Sequence, residues 1–99
     1  MKWVADNLLE GKPVSFRPSG NSMLPHIKSK QLVTVEPIVD KTTLEVGDIV
    51  LSKVSGRYLL HMIHGTKVEG ENLSFQIGNA SGHINGWTQT IFGKVVSIV

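Results

Sequence analysis

The spacing of apolar positions changes once along this chain, near residue 12. Over residues 2–10, Trp3 or Val4 and Leu8 recur at helical spacing among Lys2, Asp6, Asn7 and Glu10. That stripe predicts one short amphipathic helix. Gly11 supplies a residue suited to the left-handed conformation that ends helices, and Pro13 blocks continuation. From Val14 onward the period is two. Val14-Ser15-Phe16-Arg17 alternates, Pro18-Ser19-Gly20 breaks the run, and Gln31–Glu36 forms a second alternating segment closed by Pro37. Ile49–Val54 is more continuously apolar, which predicts a central strand. Ser55-Gly56 reads as a hairpin turn into a fourth strand over Arg57–Ile63. Leu73–Ile77 and Ile91–Val99 supply two more strands. Residues 40–48 and 65–72 read as connections. Residues 78–86, with three Gly and two Asn, read as a long exposed loop. The pattern predicts a mostly β domain of about six strands, mixed or mostly antiparallel, with one N-terminal helix.

Composition narrows the picture. Ninety-nine residues suffice for one hydrophobic core and not two, so residues 1–12 are expected as helix and cap and residues 13–99 as the β domain. Apolar residues are 40% and charged residues 18%, a globular balance. The chain has no Cys, which removes disulfides, thiolate zinc sites and cysteine nucleophiles together. Its ten basic residues are scattered, and the net charge is only +2, against the concentrated basic face expected of a nucleic-acid reader. No segment has the roughly 18–20 apolar residues of a membrane span. The first residues lack the apolar core of a signal peptide, so a cytoplasmic location without membrane association is expected.

The stretch of greatest chemical interest is Gly20-Asn21-Ser22-Met23-Leu24-Pro25-His26-Ile27. A serine between a glycine–asparagine pair and a proline turn is placed to present its hydroxyl outward. That hydroxyl becomes a useful nucleophile only beside a base, with N–H donors for the oxyanion that forms on the substrate. His61, between Leu60 and Met62, is the candidate base. Ser19, Asn21, Met23 and Ser22 itself are candidates for oxyanion support. Asn79 is a candidate for orienting the imidazole. A turn serine that caps local backbone and a core histidine are the alternative readings of Ser22 and His61. His26, His61, His64 and His83 show no helical metal-ligand spacing, so neither a metal nor a cofactor is called for. The Gly-rich segment 78–86 lacks the Gly-Lys-Ser/Thr ending of a phosphate loop.

The Gly20-x-Ser22-Met23-x-Pro25 box resembles the nucleophile box of the signal peptidase I and SOS-repressor self-cleavage superfamily of serine peptidases. Further resemblances follow in the same order: Gln31–Val35, then Val46-Gly47-Asp48-Ile49-Val50, then Leu60-His61-Met62-Ile63 at the place of the family's general base. Ile91-Phe92-Gly93-Lys94-Val95-Val96 resembles its closing strand. The resemblance spans residues 14–99 and is closest to small stand-alone members of bacterial and phage genomes. It implies a Ser22–His61 pair acting on an extended peptide, and a homodimer by analogy with the repressors. Many members use lysine as the base. Those with histidine also supply a carboxylate before the last strand, whereas residues 78–85 here contain no Asp or Glu. Three functions therefore stand open: a hydrolase of the serine peptidase type, an inactive module on the same scaffold that binds a protein segment or small ligand, and nucleic-acid binding through the scattered basic residues.

Overall fold

A computed structural model describes residues 1–99. The helix, α1 (Lys2–Leu9), is followed by seven strands: β1 (Val14–Phe16), β2 (Val33–Pro37), β3 (Ile49–Val54), β4 (Arg57–Glu69), β5 (Asn72–Gly78), β6 (Ile84–Thr88) and β7 (Ile91–Ile98). A single 3₁₀ turn, Lys41–Thr43, lies between β2 and β3. The strands form one sheet in the order β1-β2-β7-β3-β4-β5-β6. Every pairing is antiparallel. No helix is long and apolar enough to cross a membrane.

The mostly β class with one short N-terminal helix stands, with two corrections to the strand map. The first lies in the predicted loop over 78–86. Its second half is β6, because Ile84 and Gly86–Thr88 find backbone partners along β5. The second lies in the connection at 65–72. There β4 runs on to Glu69 and turns into β5 through Gly70 and Glu71. Both segments are polar because they lie toward the far edge of the sheet, where one ladder of hydrogen bonds holds a strand without deep burial.

Two apolar clusters hold the fold. One joins Val4, Ala5 and Leu8 of α1 to Val14, Val33, Val35, Leu51 and Leu60 of the sheet, with Met23 and Ile27 added from the loop after β1. Trp3 does not join it. It is 57% exposed and meets Phe16 edge-on. The second cluster is Leu44, Val50, Val54, Leu59, Ile63, Phe75, Ile77 and Ile91. Each such side chain, fully buried, contributes about 1.5–3 kcal/mol of transfer free energy. β3 supplies both clusters, Leu51 to one and Val50 and Val54 to the other, as expected of its near-continuous apolar sequence.

Gly93 explains how closely α1 can settle on the sheet. A Cβ there would lie 2.5 Å from the Glu36 carbonyl, 2.8 Å from Val35 Cγ1 and 3.0 Å from Leu8 Cδ1. Only hydrogen leaves room for the helix and β2 together.

The far end of the sheet curls back on its middle. Thr88 Oγ1 of β6 donates to the Lys53 carbonyl of β3 at 2.7 Å, and the Lys53 N–H donates to the Thr90 carbonyl at 3.2 Å. This curl brings β6 against β3.

Candidate active site

Residues 17–30 form a loop closed at its base. Lys30 N–H donates to the Pro18 carbonyl at 2.7 Å, Arg17 Nη1 to the Lys30 carbonyl at 2.9 Å, and Gly20 N–H to Ser29 Oγ at 3.1 Å. Met23 and Ile27 are 4% and 3% exposed and act as two anchors in the helix-side core. Ser22, immediately before the first anchor, stays exposed. Alternating anchor and hydroxyl across this turn is what sends Ser22 outward while its backbone is fixed.

His61 comes from β4 where that strand changes partners. It pairs with Val50 of β3, while pairing with β5 begins only at Met62. Its ring therefore lies at the fork between two ladders, partly buried. Ser22 Oγ is 3.1 Å from His61 Nε2. The sequence candidates for nucleophile and base, 39 residues apart, are thus within hydrogen-bond reach of each other.

The other ring nitrogen is also held. His61 Nδ1 lies 2.8 Å from Asn85 Oδ1. An amide oxygen accepts, so this contact matches the tautomer with the proton on Nδ1 and the Nε2 lone pair toward the Ser22 hydroxyl. That is the tautomer a general base requires.

Asn85 reaches the ring because of a β-bulge. Ile77 pairs with Gly86 and Gly78 with Ile84, which leaves Asn85 as the extra residue on β6. A bulge turns the side chain away from the regular alternation. A matching irregularity falls on β4, where Ile63 pairs with Ile77 and Gly65 with Gln76, leaving His64 unpaired in the ladder. His64 Nε2 donates to the Asn79 carbonyl at 2.7 Å. His64 is thus a partly buried strut under the 79–83 loop.

Asn79 does not orient His61. Its Oδ1 accepts from His83 N–H at 2.8 Å and from Ser81 Oγ at 3.0 Å, so its side chain shapes its own loop. Ala80 N–H next door donates to the Ser22 carbonyl at 3.1 Å and ties that loop to the serine turn. Asp48 does not reach His61 either. It accepts from Glu45 N–H at 2.9 Å and lies 3.4 Å from Lys94 Nζ. The His61 ring has an amide where a carboxylate would neutralise an imidazolium.

Sequence reading passed over Asn85. Asn85-Gly86 reads as a turn, and a glycine marks a bulge only once the segment is known to be a strand. Gly86 takes φ +147°, and a Cβ on it would come 3.2 Å from Val54 Cγ1.

The N–H groups of Asn21, Ser22 and Met23 have no acceptor within the protein, whereas that of Gly20 is committed to Ser29. Free donors therefore cluster beside the hydroxyl. The Ser19 side chain lines the adjoining pocket. This pocket, of about 110 Å³, is lined by Ser22 and His61 together with Met23, Ile27, Tyr58 and Leu60.

Neither known protein families, characterised proteins nor solved structures yield a match to this chain.

Proposed function

We propose that this domain is a serine peptidase of the dyad type, with Ser22 as nucleophile and His61 as general base, acting on an extended peptide. The observation that carries the reading is the pair of contacts on the His61 ring, Ser22 Oγ 3.1 Å from Nε2 and Asn85 Oδ1 2.8 Å from Nδ1. The ordered resemblance of the Ser22 box, the Gly47-Asp48 turn and the Gly93-Lys94 strand to the signal peptidase and self-cleaving repressor superfamily supports it independently.

In this mechanism Ser22 Oγ attacks the peptide carbonyl carbon while its proton passes to His61 Nε2. The carbonyl oxygen becomes an oxyanion facing the free N–H groups at Ser22 and Met23. The C–N bond breaks, and the imidazolium gives its proton to the leaving amine. Water, activated by the same imidazole, then cleaves the Ser22 ester and restores the hydroxyl. The apolar pocket beside the dyad receives one side chain of the acyl part.

The test is covalent. A fluorophosphonate probe is expected to label Ser22, and label and peptide-library cleavage are both lost in Ser22→Ala and His61→Ala. Labelling and cleavage that are the same in Ser22→Ala and the parent chain would sink the proposal. The amide in place of a carboxylate favours one second reading, a module that holds a peptide in this groove without cutting it. That module would still capture library peptides after Ser22→Ala.

A further inference from the structure

We infer that Asn85 is the positioning residue of this site, setting the His61 tautomer through the β6 bulge. The inference deepens the peptidase reading and rests on it for its catalytic meaning, but its structural content can be read without any turnover. Three observations carry it. Asn85 Oδ1 is the partner of Nδ1 at 2.8 Å. Asn85 is the one residue of β6 that the ladder with β5 leaves over. The neighbouring groups that could compete for the ring are occupied: Asp48 by Glu45 and Lys94, Asn79 by its own loop, and His64 by the Asn79 carbonyl.

An imidazole can place its proton on either nitrogen. Without an acceptor at Nδ1, the form with the proton on Nε2 becomes populated, and that form cannot accept from Ser22. An amide oxygen fixes the proton on Nδ1 without adding charge. Asn85 therefore selects the reactive tautomer and leaves the imidazolium formed during reaction without an anion beside it. The design supplies orientation and omits charge compensation. Besides Ser22 and His61, the pocket lining includes Tyr58 and Met1 and no carboxylate.

The experiment compares the parent chain, Asn85→Ala and Asn85→Asp, each labelled with ¹⁵N at histidine. Long-range ¹H–¹⁵N spectra are expected to show His61 with its proton on Nδ1 in the parent. In Asn85→Ala the Nε2–H form appears, and fluorophosphonate labelling of Ser22 slows by about tenfold or more. In Asn85→Asp the carboxylate keeps the Nδ1 proton and favours the imidazolium. The pH of half-maximal labelling then moves upward by about one pH unit or more. Backbone amide spectra of Asn85→Asp, nearly isosteric, show whether the bulge survives should the alanine variant unfold.

An unchanged His61 tautomer in folded Asn85→Ala overturns the inference. So does an unmoved pH profile in Asn85→Asp. The two readings separate cleanly. A tautomer that follows Asn85 in a chain that never labels upholds the positioning role and removes the peptidase. Ser22-dependent labelling indifferent to Asn85 does the reverse.

Discussion

At the scale of single residues, Ser22 contributes little to the structure. Its hydroxyl touches only His61, and its side chain is exposed, so Ser22→Ala is expected to shift stability by no more than about 0.5 kcal/mol while abolishing labelling. Chemical denaturation of the two chains checks this. Gly78 is the opposite case. A Cβ there would sit 2.5 Å from the His83 carbonyl and 2.9 Å from His64 Cδ2. The carbonyl belongs to the loop that meets Ser22, and backbone yields less readily than a side-chain tip. Gly78→Ala is expected to cost about 1–3 kcal/mol and to displace the 79–83 loop, seen as amide shift changes at Ala80 and Ser22. An unperturbed Ala80 amide would refute it. Sequence reading paired Ser22 with His61, which do meet, because a hydroxyl and an imidazole are marked by residue type alone. It assigned the imidazole's second partner to Asn79 because linear order cannot show a one-residue offset between paired strands. Six positions separate Asn79 from Asn85, and only the register of β5 with β6 decides between them.

At the scale of elements, the turns are the most legible features and the strand ends the least. Ser55-Gly56 joins β3 to β4 with both residues at positive φ, +49° and +79°, the two-residue turn that matches strand twist. Serine is a costly occupant of that conformation and asparagine a favourable one. Ser55→Asn is therefore expected to stabilise by up to about 1 kcal/mol, read as a higher urea midpoint at unchanged slope. The 3₁₀ turn at Lys41–Thr43 offers a test of pH. Asp40 caps it, accepting from the Thr42 hydroxyl at 2.6 Å and the Thr42 N–H at 2.9 Å. The hydroxyl, and then the N–H, hold the Asp40 carboxyl below its usual range. A lowered folded-state value stabilises above the unfolded value and is lost as pH falls through the lowered one. Asp40→Asn should thus narrow the stability difference between neutral and strongly acid solution, measured by melting across pH. A difference that is unchanged rejects the cap's role. The long β4 and the late β6 were harder to foresee, since polar strands held by ladder bonds resemble loops when only the side chains are read.

At the scale of the whole molecule, the site belongs to no single element. The serine comes from a loop pinned by two core anchors, the imidazole from the fork of β4, and the amide from a strand that returns over the sheet. The return depends on the Thr88–Lys53 bond. Thr88→Val, which keeps the shape and removes the donor, is expected to cost about 1 kcal/mol or somewhat more. It should also speed amide exchange along β6 ahead of β3, and exchange that quickens equally in both strands would contradict this account. The class of fold was readable because period-two patterning and a single helical stripe leave few alternatives. The closure was not, since it rests on contacts between strands far apart in sequence. The bulge at Asn85 finally makes the site a matter of counting. β6 holds one residue more than β5 can pair. Excising that residue would let Ile84 and Gly86 join a regular ladder, giving a sheet with better pairing and a histidine with nothing to steer it. Such a deletion should yield a folded protein whose His61 ring has lost its Nδ1 partner, so the length of one strand sets the imidazole's surroundings without setting the fold.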